Sequence, residues 1–213
     1  MIKNHEISAR LANYANWHNH VVEITNYLSW YPSRYLDGVV FAGGAVRNLL
    51  EGKDQVDNDV DIYIINGQET VRNIIYTCLL ESEFKEVSTT EWSYTFKKGD
   101  KTVQLMRKVY PSIQDLLDSF DYTVAQCAWS PATQDLYTGD WTMYDLGARQ
   151  LRFNTFNNPS LALGRLAKYV SYGYTPDKDT LEQLTKFIQQ SRATVPMRHH
   201  RSVRKFYSYY ESI

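Results

Sequence analysis

The sequence predicts an α+β fold, with a small mixed sheet and flanking helices followed by a helical C-terminal part. Three observations predict it. Short apolar runs such as Val39-Val40-Phe41 and Val60–Ile65 alternate with segments of helical period through the first two thirds. The last third carries helical patterning and is more basic. The chain has 213 residues, 43% hydrophobic and 22% charged, which is a globular composition long enough for one large domain or two small ones. The reading divides it into a mixed part over 1–150, opened by an N-terminal helix, and a helical, basic-tailed part over 151–213.

The elements follow in chain order. Apolar positions Leu11, Tyr14, Val21, Ile24, Tyr27 and Leu28 predict a helix over 7–30, ended by Tyr31-Pro32-Ser33. Val39–Phe41 reads as a buried strand broken by Gly43-Gly44. Ala45–Leu50 then opens a helix that Gly52 stops. Val60–Ile65 reads as a strand and Glu69–Leu80 as a helix. Tyr94–Phe96 and Thr102–Met106 form a hairpin across Lys98-Gly99-Asp100. Ser112–Asp118 is a helix with Ser112 and Asp115 in capping-box spacing, and Tyr122–Trp129 a further strand. Two helices follow, near Leu161–Tyr172 and Leu181–Gln190, the second with Thr180 and Gln183 as its capping signal.

Composition excludes several classes. No apolar run approaches a membrane span, and the N-terminus lacks a signal-peptide apolar region. Cys78 and Cys127 follow no metal spacing, so a reducing, cytoplasmic setting is expected. The net charge is −1, yet no acid occurs between Glu182 and Glu211. That span holds Arg198, Arg201, Arg204 and Lys205, which read either as a solvated tail or as a surface for RNA phosphates.

The stretch FAGGAVRNLLEGKDQVDNDVDIYI, residues 41–64, concentrates the chemistry. A strand ending in Gly-Gly and running into a helix lets backbone N–H groups approach an anion. It is no P-loop, because Lys53 is followed by Asp54 and Arg47 stands where the first glycine is needed. In an extended strand Asp57, Asp59 and Asp61 share one face, with neighbours about 7 Å apart, and Val60, Ile62 and Ile64 share the other. Carboxylates so crowded repel unless a cation sits between them. An EF-hand is excluded, since Ile62 and Gln68 occupy the positions that need glycine and glutamate. A nucleoside triphosphate with Mg²⁺ needs backbone donors and a few carboxylates together, and the two halves of this stretch supply them.

Gly43-Gly44-Ala45-Val46-Arg47 followed by Asp59-Val60-Asp61 resembles the polymerase-β-like nucleotidyltransferases, closest to the head and neck of class II tRNA nucleotidyltransferases and poly(A) polymerases. Asn48 stands where that family usually has aspartate. FDYTVAQCAW, residues 120–129, is similar to the family's Arg-Asp-Phe-Thr-Ile-Asn-Ala segment, with Phe120 replacing the arginine. DLGARQLRFN (145–154) and LALGRLAKYVSYGYTP (161–176) resemble its neck. The Glu-Asp-x-x-Arg motif that reads the base is absent. The resemblance covers roughly 38–176.

The resemblance implies transfer of a nucleotide from an NTP to an acceptor hydroxyl, with two Mg²⁺ at Asp59 and Asp61. It makes Asp121 either a third metal-facing acid or a ribose-side residue. Gly43, Gly44, Arg47, Arg165 and Lys168 become the nucleotide-binding candidates, with Arg47 free to reach phosphate or to pair with an acid such as Asp57. Three readings of the partner stay open. They are an RNA or tRNA 3′ end reached through the basic tract, a protein hydroxyl modified in a toxin- or defence-type reaction, and a non-catalytic nucleotide-binding protein.

Overall fold

The structure is a computed structural model, which describes residues 2–3, 37–53, 59–66, 69–155 and 159–194. The helix expected over 7–30, Asp57 and the basic cluster Arg198, Arg201, Arg204 and Lys205 lie outside the described residues.

One mixed sheet organises the chain. Its strands are β1 (Ile2–Lys3), β2 (Val39–Ala42), β3 (Val60–Ile65), β4 (Lys85–Thr89), β5 (Ser93–Lys98), β6 (Lys101–Tyr110), β7 (Cys127–Trp129) and β8 (Leu136–Thr138). They lie in the order β1-β8-β7-β2-β3-β6-β5-β4. Only the β3–β6 pair is parallel. The connection between those two strands carries helix α2 (Glu69–Glu81), together with the hairpin partners β4 and β5. Helix α1 spans Gly44–Leu50, directly after β2.

Apolar side chains cover both faces of the sheet, apart from the positions that open on the cavity described below. On one face Val39, Phe41, Val60, Ile62, Ile64, Val103 and Leu105 share a core with Val46 and Leu49 of α1 and with Val71, Ile75 and Leu79 of α2. On the other, Val40, Ala42, Tyr63 and Ile65 pack with Leu116 and Leu117 of α3 (Ile113–Asp118). The Ser112 cap of α3 forms as expected: its hydroxyl accepts the Asp115 N–H. The β5–β6 turn is a two-residue hairpin in which Gly99 adopts φ +61, a left-handed conformation suited to glycine.

A second core is built by the C-terminal part. It joins Tyr122, Val124, Ala125 and Leu146 to Leu151, Phe153, Ala162, Leu166, Tyr169, Tyr174 and Leu184. Its helices are α4 (Thr142–Ala148), α5 (Pro159–Ser171) and α6 (Lys178–Thr194), stitched by a parallel pair of two-residue strands, β9 (Gln150–Leu151) and β10 (Thr175–Pro176). This packing crosses residue 150, drawing Tyr122–Ala125 and Leu146 toward the helices that follow.

Two sequence expectations change. Tyr122–Trp129 is not one strand: Thr123–Ala125 turn as a 3₁₀-helix, and the strand begins at Cys127. The physical reason is tertiary, because the Thr123 N–H donates to the Arg152 carbonyl and the Tyr122 hydroxyl to the Ala162 carbonyl. Thr180 does not cap α6. Asp177 does, accepting the Thr180 N–H at 2.7 Å, while the Thr180 hydroxyl accepts the Phe153 N–H at 2.8 Å.

Candidate active site

Strand pairing places the acids. Asp61 lies opposite Ala42 of β2 on one side and opposite Gln104 of β6 on the other. Alternation along β3 turns Asp59, Asp61 and Tyr63 to one face while Val60, Ile62 and Ile64 anchor the other in the core. The strand is therefore held by its apolar side and presents its carboxylates on the remaining one.

The turn between β2 and α1 closes over those carboxylates. Gly43 adopts φ +77, and a Cβ built there would lie 3.6 Å from Asp61 Oδ2 and 3.6 Å from the Phe120 ring. A side chain would be strained and would enter the space above Asp61. The Gly43 N–H donates to the Cys127 carbonyl at 3.0 Å, so this glycine contributes room and not a free donor. Gly44 follows as the partly exposed first residue of α1, whose first turn carries no acid.

A cavity of about 300 Å³ opens at this point. Its lining includes every described residue singled out from the sequence for catalysis or nucleotide binding: Gly43, Gly44, Arg47, Asp59, Asp61, Asp121, Arg165 and Lys168. It also includes residues the sequence reading passed over or left open, namely Gln104, Tyr63, Phe120, Tyr122 and Tyr169. Tyr63 was findable, because it is two residues beyond Asp61 on the same strand face. Phe120 and Tyr169 lie in the motif segments 120–129 and 161–176, and the fold brings both to the cavity.

The electrostatics divide the cavity. On its floor, Asp61 is pushed up to about 7, first by burial and then by the neighbouring Asp59, while Lys168 and Arg165 pull the other way. The Gln104 amide donates to Asp59 Oδ2. On the α5 wall, Arg165 ion-pairs with Asp121, whose side chain is 2% exposed. Burial alone would lower the Arg165 pKa, but Asp121 beside it keeps it above its usual value. Asp121 is thus engaged by a guanidinium, and among the described residues no three His, Cys, Asp or Glu side chains converge to hold a metal. The donor set that fits a hard cation is the pair Asp59 and Asp61, because Mg²⁺ takes one or two carboxylates and fills its remaining sites with water and phosphate oxygens.

Arg47 sits behind the turn, 1% exposed. Its guanidinium donates to Asn48 Oδ1 at 2.9 Å, lies over the rings of Tyr169 and Tyr172 at 5.1 and 5.5 Å, and has Glu51 3.9 Å away. Glu51, one turn on, is equally buried and is surrounded by donors. Lys53 lies 2.8 Å from one oxygen, and Arg149 and the Tyr174 hydroxyl bond the other. Burial opposes its ionisation, yet the bonds from Lys53 and Tyr174 with the Lys53 and Arg149 charges hold its pKa below the usual value. This seam ties α1 to the chain around α4 and β10.

Solved structures similar to this chain include tRNA-processing enzymes. A Thermotoga maritima CCA-adding enzyme complexed with tRNA matches at 17% identity and TM-score 0.65, covering 89% of this chain and 46% of its own. A CCA-adding enzyme complexed with ATP matches at 16% and 0.66, covering 89% and 47%. The Bacillus stearothermophilus CCA-adding enzyme in complex with CTP matches at 18% and 0.53, covering 78% and 42%. The chain spans less than half the length of these proteins. At such identities the likeness establishes the fold, which is the polymerase-β-like nucleotidyltransferase fold expected from the sequence. No curated protein sequence matches the chain. The model of one protein family does, over residues 15–149, and on that match the chain belongs to the Gabija anti-defense 2 family.

Proposed function

We propose that the protein is a metal-dependent nucleotidyltransferase that moves a nucleoside monophosphate from an NTP to an acceptor hydroxyl. The observation that carries this reading is one cavity lined by Asp59 and Asp61, the Gly43-Gly44 turn, and Arg165 and Lys168 of α5.

Each residue has a task in it. Asp59 and Asp61 would hold Mg²⁺, which in pairs lowers the pKa of an attacking hydroxyl and offsets charge on the transferring phosphoryl group. Gly43 and Gly44 let the triphosphate approach the backbone at the start of α1 without meeting a side chain. Arg47, fixed between two tyrosine rings, contributes a positive charge that needs no reorganisation when the phosphates arrive. Lys168 supplies a mobile charge, and Arg165 a guanidinium oriented by Asp121. Tyr63, Phe120, Tyr122 and Tyr169 make aromatic walls that exclude water and offer ring faces to the nucleoside.

Membership of an anti-defence family favours a hydroxyl on a component of the Gabija defence as the acceptor. The tRNA named for the fold neighbours keeps an RNA 3′ end as the second reading. The test is incubation with each α-labelled NTP and Mg²⁺ in lysate from cells with and without the Gabija system. Label in a Gabija-dependent protein band is expected. Label in RNA that weakens steeply with salt would favour the second reading. Absence of label from all four NTPs, with Asp59→Ala indistinguishable from the wild type, would leave no enzyme to explain.

A further inference from the structure

Gln104 is the residue whose place in the fold the cavity leaves unexplained. It sits on β6, the parallel neighbour of β3, in register with Asp61 and with Thr95 of β5 on its other side. Cross-strand partners share a sheet face, so the Gln104 side chain stands beside the two acids. Its amide nitrogen donates to Asp59 Oδ2. The orientation follows from chemistry, because an ionised carboxylate only accepts and the amide must present its N–H to it. Gln104 therefore occupies one Asp59 oxygen, fixes that side chain and leaves the other oxygen for a ligand. It brings no charge.

Resting on the nucleotidyltransferase reading, we infer that Gln104 makes cation capture depend on the nucleotide. The floor of the cavity offers two carboxylates and an amide, where a third carboxylate on β6 would be close enough to complete a protein-only site. Two carboxylates with one oxygen already engaged hold a hard divalent cation weakly, since affinity follows the number of charged ligands. Phosphate oxygens arriving over the Gly43-Gly44 turn supply what is missing. The cation then enters with the triphosphate, and the protein without nucleotide stays largely metal-free.

The experiment measures Mn²⁺ retained with folded full-length protein in equilibrium dialysis, where free and nucleotide-complexed Mn²⁺ pass the membrane, against a control without protein. It is run with and without an equimolar mixture of the four α,β-methylene nucleoside triphosphates. Wild type should bind Mn²⁺ weakly alone and clearly more tightly with the analogues. Gln104→Glu should raise Mn²⁺ affinity without nucleotide by about tenfold, adding a charged oxygen to the site. Gln104→Leu, which removes the amide without adding charge, should weaken Mn²⁺ binding in the presence of analogues by about tenfold, as loss of a ligand-orienting bond does. Thermal melts establish that both variants fold. Tight binding by wild type in the absence of nucleotide would overturn the inference, and so would a Gln104→Glu protein that binds like the wild type. Failure of folded wild type and Gln104→Glu to bind Mn²⁺ under either condition would overturn the nucleotide–metal site itself.

Discussion

Glu51 and Asp61 are both acids set into the interior, and their surroundings have opposite charge. Glu51 lies in the seam behind α1, contacted by Lys53, Arg149 and Tyr174 with Arg47 nearby, and its pKa is lowered. Asp61 lies on the cavity floor beside Asp59, and its pKa rises to about 7. One carboxylate is neutralised by the protein's own cations, so it serves the fold. The other is crowded by a second carboxylate, and Lys168 and Arg165 offset burial and that crowding only in part. The same carboxylate chemistry, in two settings, gives an acid that holds the structure and one that waits for a ligand.

The sharpest way to break this comparison is to neutralise each acid in turn. Asp61→Asn should lower nucleotide incorporation on the order of a thousandfold, measured with α-labelled NTP, because the donor set for the cation is halved. Its folding stability should not fall. Glu51→Ala should do the reverse first: it takes the acid from buried Arg47 and from half-exposed Lys53 and Arg149, and should destabilise the fold by about 2 kcal/mol in urea unfolding. If Glu51→Ala were as stable as wild type, the seam would be ornamental and the contrast would fail.

A smaller effect sharpens the same point through pH. The folded-state pKa of Asp61 is raised above its unfolded value. Its contribution to stability is therefore full below about pH 4 and is lost as pH rises through about 7, since the folded protein holds the proton longer than the unfolded chain does. Comparing wild type with Asp61→Asn by thermal melts, the substitution should gain steadily on wild type as the pH rises from about 4 to about 8. An unchanging difference between the two proteins across that range would show that burial and Asp59 do not raise it. The smallest expected effect concerns Arg47. Tyr172→Ala removes one of its two ring contacts and should cost about 0.5–1 kcal/mol, with the larger part of the Arg47 seat left to Tyr169 and Asn48.

The centre of the site was legible because its signals are local. Val60–Ile65 announces a strand by its apolar side, and the same alternation fixes which way Asp59 and Asp61 point. Gly43-Gly44 announces a break, and the left-handed φ of Gly43 is what that break needs. The surroundings were less legible, and for a shared reason. β8, β9 and β10 are two or three residues long, too short for a period to emerge. Thr123–Ala125 has strand-forming residues but turns because Arg152 and Ala162, far along the chain, take up the hydrogen bonds of Thr123 and Tyr122. Thr180 has the composition of a cap, yet its hydroxyl serves Phe153. Asp121 reads as a metal-facing acid or a ribose-side residue, and its ion pair with Arg165 on α5 has no local signal. In each case the deciding contact is remote in sequence, which local pattern does not encode.

The register of β3 has a consequence for how this chain can change over time. Ala42, Asp61 and Gln104 are aligned across three strands, and the side-chain period is two. Gain or loss of a single residue inside β3 would turn Val60 and Ile62 into the cavity and drive both acids into the apolar core. Insertions and deletions within the strand are thus closed as evolutionary routes, whereas a change of two residues preserves the parity. Lineages of this family should diverge freely in the length of the segment between α1 and β3 while keeping the count of residues along β3 unchanged.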